Sequence, residues 1–324
     1  MEAEKTYKKE RVSILDEKVS CYPEQLHLHA GSPLKAPLFD IERVWKLMDG
    51  AIDVHIHSGP DAYATRLADE VELATQACQA GLRAVVFKCH SAPNARSIGM
   101  VQKAVDQWAK EHGKRQTEVF GGVVLNFSVG GLNPEAVIVN ARLGGKYVWT
   151  PNLDSATHRR VMGLSPGIEV IDENGNIVPL LKEIFGLIAE ADMVLGLCHV
   201  TAKELFVLID EAKKAKVKRL EIIHPNHRSF KLSLEELKMA ADKGVYSGLY
   251  GFSVAPPMFD LDHYLNAIEV VGVDHIVFGS DCGHFTNIAP IESMRMLITG
   301  LLLAGVADED VEKIVKINPA RLLY

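Results

Sequence analysis

Short runs of apolar and β-branched residues alternate with longer amphipathic stretches from residue 51 onward. Apolar residues spaced three or four apart predict helices in the longer stretches, such as DEVELATQACQA (69–80) and PLLKEIFGLIAE (179–190). The short runs predict buried strands of a parallel sheet, because a helical stretch separates most of them from the next. Strands are predicted at eight places: 51–57, 82–90, 118–126, 145–151, 193–200, 218–225, 244–252 and 274–282.

Eight repeated βα units predict an α/β fold of the (β/α)8 TIM barrel type, which typically takes about 250 residues. A doubly wound open sheet is the alternative, but no GxGxxG motif follows the first strand. Residues 1–47 fall outside the repeat and predict an N-terminal extension packed on a barrel of residues 48–324. One long segment, 151–178, interrupts the alternation of strands and helices and is rich in turn-forming residues. Long loops in compact domains tend to be functional.

Composition narrows the class of protein. The 324 residues are 48% hydrophobic and carry a net charge of -7 without a long basic block, which argues against nucleic-acid binding. The charged N-terminus lacks the apolar core of a signal peptide, and MLITGLLLAGVA is too short to span a bilayer. Five cysteines without a CxxC pair predict reduced thiols. We expect a soluble, cytoplasmic protein that binds a small molecule and no nucleic acid or membrane, with homo-oligomerisation left open.

Histidines and one aspartate close several of the predicted strands. His55 and His57 end the first, His199 the fifth, His224 the sixth and Asp281 the eighth. The C-terminal ends of the strands build the active site of a TIM barrel, and alternation places His55 and His57 on one face. Any one of these histidines alone would more often be a core or surface residue. Together they predict a site for one or two divalent ions, zinc being the best match to imidazole and carboxylate ligands.

A second HxH pair lies upstream, in QLHLHAGSP. His27 and His29 precede the barrel repeat and lead into a proline-containing connection with no βα unit behind it. We interpret them as part of a short edge or hairpin strand and not as a metal site.

The first-strand HxH, the histidines of the fifth and sixth strands, the aspartate in FGSDCG and the terminal KINPARLL together resemble the amidohydrolase superfamily of metal-dependent hydrolases. The resemblance covers most of residues 51–324. In detail, DVHIHSGPD followed by VFKCHSAP is similar to an amidohydrolase-like branch whose members are mostly of unassigned function. The resemblance implies a chemistry class and not a substrate.

That chemistry is hydrolysis by a metal-activated water, here on a small amide, lactone or ester. In this interpretation His55, His57 and His199 hold the ion, while Asp281 ligates it and accepts the proton of the attacking water. His224 completes a second metal site or orients the substrate. A lyase or decarboxylase of the same superfamily and a catalytically silent metal-binding protein are the alternatives.

One position departs from the family pattern. Two-metal members usually bridge their ions with a carboxylated lysine or a glutamate from strand four, which here ends in Trp149 and Thr150. The second strand instead offers Lys88 and His90, two residues apart on one face. Lys88 is either a carboxylated bridge between two ions or a cation that binds a substrate carboxylate or pairs with Asp281. His90 is either a ligand or a neighbour that contacts the ligands or the substrate.

Barrel position alone predicts further substrate contacts. Asn126, Trp149 and Tyr250 lie at or near strand ends and are expected to line the pocket, with His227 on the loop after the sixth strand. The 151–178 loop is expected to cover the site. Alternation is expected to turn Cys89 and Cys198 toward the outer helices, which disfavours a nucleophilic cysteine.

Overall fold

Strands occupy all eight predicted positions in the computed structural model, which describes residues 40–164, 166–227, 231–251 and 261–324. The third predicted strand is divided at Gly121 into two short segments, β3 and β4. The strands are β1 Ile52–Ile56, β2 Ala84–Phe87, β3 Glu118–Phe120, β4 Gly122–Val124, β5 Tyr147–Trp149, β6 Val194–Leu197, β7 Arg219–Ile223, β8 Tyr246–Tyr250 and β9 Ile276–Gly279.

All paired strands run parallel, in the orders β1-β2-β3 and β4-β5-β6-β7-β8-β9. Backbone hydrogen bonds also join the chain after β9 to β1: Asp281 N donates to His55 O at 2.8 Å and His57 N to Cys282 O at 2.9 Å. These bonds link the last strand to the first, as a closed barrel requires. The predicted TIM barrel fold is confirmed.

Helices follow the strands, and several begin at strong caps. Capping boxes start three of them, at Asp69 with Glu72, Thr201 with Glu204 and Ser233 with Glu236. The α-helices of the described part are α1 Ile41–Met48, α2 Glu70–Gln79, α3 Ala95–Glu111, α4 Pro134–Arg142, α5 Ala156–Val161, α6 Pro179–Glu190, α7 Ala202–Lys214, α8 Leu234–Asp242, α9 Leu261–Val271, α10 Pro290–Leu303, α11 Asp308–Glu312 and α12 Asn318–Leu323. The short α5 lies within the 151–178 loop.

Buried apolar side chains form two clusters, a large one between strands and helices and a smaller inner cluster. The inner cluster includes Trp149 and Tyr250, and β6 passes so close to Trp149 that it carries a glycine there. A Cβ on Gly196 would lie 2.2 Å from Trp149 Cδ1. The inner cluster consists of Ile52, Val54, Ala84, Val86, Val124, Tyr147, Trp149, Val194, Cys198, Ile223, Tyr250, Val277, Leu322 and Leu323.

Cys198 belongs to this inner cluster, so the expectation that it points toward the outer helices is wrong. Alternation holds along β6, since Val194 and Cys198 lie in the inner cluster and Leu195 and Leu197 in the large one. It breaks at His199, which has φ 45°, so a count that starts from His199 places Cys198 on the wrong side. Burial raises the pKa of the Cys198 thiol to about 11, which keeps it protonated and unreactive.

Residues 1–39 lie outside the described part of the chain. The predicted extension over 1–47 and the strand assigned to His27 and His29 therefore stay predictions. Among the residues that are described, no helix combines the length and the apolar character needed to cross a bilayer.

Candidate metal centre

A local irregularity in β1 orients the two histidines at its end. The register between β1 and β2 shifts between Asp53 and Ile56, and Asp53 Oδ1 accepts hydrogen bonds from the backbone N–H groups of His55 and Ser280. The His55 ring lies against Trp149 and Tyr250 of the inner cluster, on the side where Val54 also packs. The strand therefore turns within this segment, as at a β-bulge, so that neighbouring residues face the same side.

Three of the predicted site residues have left-handed backbone conformations. His199, His224 and Asp281 follow β6, β7 and β9 with φ values of 45°, 35° and 49°. Residues other than glycine rarely adopt this region, and such strain persists only where the surrounding structure imposes it, often at functional sites.

Histidine side chains from the end of β1 and from the segment after β7 converge on Asp281, which follows β9. Its Oδ1 lies 3.1 Å from His57 Nε2 and 3.5 Å from His55 Nε2, and its Oδ2 lies 4.0 Å from His224 Nε2. Ligand atoms of His55, His224 and Asp281 all lie within 4.8 Å of one another. Tetrahedral zinc with bonds of about 2.0–2.1 Å separates its ligand atoms by about 3.3 Å. We call His55, His57, His224 and Asp281 the ligand group.

His57 provides a direct test of whether a metal fits. Its Nδ1 lies 2.9 Å from the carbonyl oxygen of Lys88, which can only accept, so Nδ1 carries the proton. Neutral His57 then presents the Nε2 lone pair to the Asp281 carboxylate, and two acceptors this close require either a proton or a metal cation between them. Burial lowers the pKa of His57 and so disfavours the protonated ring, which favours the metal cation. A histidine that donates one N–H to a carbonyl while offering its other nitrogen is the usual arrangement of a metal ligand.

His55 gives a second, independent test. Both nitrogens of its fully buried ring have no hydrogen-bond partner among the described residues. Leaving such groups unsatisfied costs about 1–3 kcal/mol. A bound ion would satisfy one of them, so the residues present fit a divalent metal.

Burial sets the protonation states of the ligand group. Desolvation lowers the pKa of His55 and His57 and lowers that of His224 to about 3, so their lone pairs are available near neutral pH. Burial alone would raise the pKa of Asp281, but the protonated form of His57, which can donate to the carboxylate, and the positive charges of protonated His224 and of Lys88 outweigh it, and the net shift is downward. A metal cation held between neutral imidazoles and the carboxylate would favour the ionised form in the same way. The site therefore offers neutral imidazoles and an ionised carboxylate.

Lys88 is almost completely buried. Its Nζ lies 3.9 Å from Cys198 Sγ and 5.6 Å from the centre of the Trp149 ring. In the described part of the chain its Nζ forms no ion pair with Asp281 at close range, although its charge contributes to lowering the pKa of that carboxyl. The predicted pairing of Lys88 with Asp281 therefore stays a prediction. Whether Lys88 is carboxylated stays a prediction.

His199 lies beside the ligand group, with both ring nitrogens near other side chains. Its Nε2 lies 3.1 Å from the Asn152 side-chain nitrogen, and its Nδ1 lies 3.1 Å from His158 Nδ1. Its ring is 4.9 Å from that of His224. The predicted role of His199 as a ligand stays a prediction. The sequence pattern did not single out Asn152. Its position three residues after the end of β5 could have identified it, because residues beyond strand ends build the site of a TIM barrel.

A cavity of 240 Å³ opens beside the ligand group. His90 and His227 line it, in keeping with their predicted positions, and the His90 ring stacks on that of His57 at 4.6 Å. The described lining residues are His57, His90, Asn152, Leu153, His199, His224, His227, Asp281, His284 and Asn287.

Three predicted lining residues lie elsewhere. Asn126, Trp149 and Tyr250 are fully buried and are not among the described lining residues. Asn126 instead connects loops, because its side chain donates to His90 O at 3.0 Å and accepts from Asn152 N at 2.9 Å. Trp149 and Tyr250 fill the inner cluster beside His55. The prediction that these three residues line the cavity is therefore corrected. A position at the end of a strand does not tell how deep in the barrel the side chain lies.

The chain belongs to the family of unknown function DUF6282, which residues 50–247 match. A comparison with curated proteins finds no match. Among solved structures, the chain is similar to an amidohydrolase from Pseudomonas aeruginosa, with 18% identity, a TM-score of 0.56, and coverage of 88% of this chain and 98% of that one.

Two further solved structures share the fold. The probable dipeptidase PvdM from Pseudomonas aeruginosa has 12% identity and a TM-score of 0.60 over 87% of this chain and 97% of its own. An amidohydrolase from Burkholderia multivorans with bound zinc has 14% identity and a TM-score of 0.50 over 84% and 98%. The predicted resemblance to the amidohydrolase superfamily is confirmed at the level of the fold.

Proposed function

We propose that this protein is a metal-dependent hydrolase that uses a metal-activated water on a small amide, lactone or ester. The observation that carries the proposal is the convergence of three neutral imidazoles on the Asp281 carboxylate at the edge of a cavity. The zinc-bound amidohydrolase with the same fold supports it.

The ligand group would hold the ion, which we propose to be zinc. A divalent ion at that place would activate water as a nucleophile and polarise the carbonyl oxygen of the substrate. His57 is oriented for this role by its hydrogen bond to the Lys88 carbonyl. His199 neighbours His224, with the ring centres 4.9 Å apart, and contacts Asn152 and His158.

Asp281 would move the proton in this reaction. Its carboxylate is ionised and borders the cavity, so it can accept a proton from the attacking water and donate it to the leaving group. His90, Asn152 and His227 surround the same space and would orient the substrate. The cavity lies below the range of about 300–1,000 Å³ that is usual for drug-sized ligands, which favours a small substrate.

The lyase alternative calls for a cation that holds a substrate carboxylate. Lys88 would be its natural candidate, but Lys88 is buried against Trp149 and Cys198 and is not among the described residues that line the cavity. A silent metal-binding site would be closed by its protein ligands, whereas the ligand group borders a cavity that gives water and substrate access to the ion. Hydrolysis is therefore the function that we propose.

The test is a screen of lactones, cyclic amides and esters with zinc-loaded protein. Chelation should abolish turnover and added zinc should restore it. Asp281→Asn should lower kcat by about 10²–10⁴-fold, because the amide keeps the volume of the carboxylate but cannot accept the proton. Full turnover by chelated protein, or by the folded Asp281→Asn variant, would contradict the proposal.

A further inference from the structure

The barrel interior beside the ligand group contains a carboxyl group that the proposed reaction does not use. Glu221 on β7 is fully buried, and each of its oxygens accepts a hydrogen bond from a tyrosine. Tyr147 donates to Oε2 at 2.9 Å and Tyr250 to Oε1 at 2.7 Å. A buried carboxyl group is costly unless its hydrogen bonds are satisfied, and the two tyrosines satisfy both oxygens.

The two tyrosines differ in what their rings contact. The ring of Tyr250 lies 4.8 Å from that of His55 and 5.5 Å from that of His224. The ring of Tyr147 stacks instead on Trp149 at 4.8 Å and contacts no imidazole of the ligand group in the described part of the chain. Of the two tyrosines, Tyr250 is therefore the one whose ring directly contacts proposed metal ligands in the described part of the chain, whereas Tyr147 is separated from His55 by Trp149.

Two glycines make room for this arrangement. A Cβ on Gly248 would lie 2.5 Å from both the Tyr250 hydroxyl and Glu221 Oε1. A Cβ on Gly279 would lie 2.3 Å from Tyr250 Cε1 and 2.8 Å from His55 Cβ. The backbones of β8 and β9 thus approach Tyr250 closely at both its polar end and its contact with His55.

We propose that Glu221 and Tyr250 are positioning residues that hold the imidazoles of His55 and His224 in the orientation in which they bind the ion. This inference rests on the proposed metal site. The hydrogen bond to Glu221 fixes the oxygen end of Tyr250, so its ring cannot tilt away from the two imidazoles. Loss of groups that orient metal ligands typically lowers metal affinity by about 10–100-fold.

The experiment measures the Kd for zinc of metal-free, full-length protein by competition with a chromophoric chelator. Tyr250→Phe and Tyr147→Phe form a matched pair, since each removes one hydrogen bond to Glu221, and both should lower the Tm similarly. Tyr250→Phe should raise the Kd for zinc by about 10-fold or more, whereas Tyr147→Phe should leave it close to that of the unmodified protein.

Glu221→Leu removes both hydrogen bonds and tests whether Glu221 acts through Tyr250. It should weaken zinc binding about as much as Tyr250→Phe, and combining the two changes should weaken it no further. Additive losses, or equal zinc affinities in the two tyrosine variants, would overturn the inference. Absence of zinc binding by the unmodified protein would instead contradict the proposed function.

Discussion

His57 shows how one residue's hydrogen bond can define a metal site. The Lys88 carbonyl fixes the proton on Nδ1, and this leaves the Nε2 lone pair 3.1 Å from an oxygen of Asp281. The HxH spacing predicted which histidines would pair, but it did not identify the carbonyl that orients one of them. That contact depends on how β1 and β2 lie side by side.

Removing both histidines of β1 should remove the metal. The His55→Ala, His57→Ala double variant loses two of the four proposed ligands, so zinc content after dialysis should fall to background. The His27→Ala, His29→Ala double variant is the control and should keep its zinc. Equal zinc loss in both double variants, measured by elemental analysis, would reject the assignment of the site to residues 55 and 57.

The chemical state of Lys88 determines whether it can bridge two metal ions. Its contacts with the Trp149 ring and the Cys198 thiol suit an ammonium better than a carboxylated, anionic lysine. Lys88→Met should therefore leave zinc at one ion per chain and strengthen its binding, because a positive charge near the site is removed. A drop from two ions to one, measured by elemental analysis, would show instead that a carboxylated Lys88 bridges two metals.

At the level of the elements, apolar periodicity predicted the strands well and their ends poorly. Each predicted strand is present, but the register shift in β1 and the left-handed residues after β6, β7 and β9 break the two-residue alternation. Alternation counted from His199 therefore placed Cys198 on the wrong side, and alternation could not separate Tyr250 in the interior from residues at the cavity. These departures arise from tertiary contacts, such as the hydrogen bonds of Asp53 with His55 N and Ser280 N.

Gly196 on β6 is expected to tolerate no side chain. A methyl group there would lie 2.2 Å from Trp149 Cδ1, so Gly196→Ala should lower the free energy of unfolding by about 1–3 kcal/mol. Gly186 on α6 is the matched control, since a Cβ added there would meet none of the described residues within 4 Å and Gly186→Ala should stabilise the helix by about 0.5–1 kcal/mol. Urea denaturation measures both effects, and a harmless Gly196→Ala would show that the β6–Trp149 contact is not close.

At the level of the whole molecule, the ionisable groups inside the barrel should make the metal-free protein sensitive to acid. Around the metal centre, burial lowers the pKa of five histidines well inside the barrel mouth below the ordinary value of 6.5, and it also lowers that of His158 and His284 at the rim, so the unfolded chain binds more protons than the folded one as the pH falls below 6.5. Burial raises the pKa of Asp53 and Glu221 to about 7. Between the ordinary pKa of a carboxyl group and pH 7, these two groups bind more protons in the folded protein than in the unfolded chain, so they stabilise the folded protein as the pH falls. These five histidines are His55, His57, His90, His199 and His224.

Because the histidines outnumber the two carboxyl groups, the Tm of chelator-treated protein should be lower at pH 5 than at pH 7. Thermal denaturation followed by circular dichroism measures the difference. An unchanged or higher Tm at pH 5 would mean that these imidazoles are not buried in neutral form in the folded protein.

The convergence of the ligand group is the central claim, and an anomalous difference map at the zinc edge tests it most directly. The map should show one strong peak between Asp281 and the Nε2 atoms of His55, His57 and His224. A zinc-containing crystal whose only peak lies away from Asp281, for example between His158 and His227, would contradict the assignment.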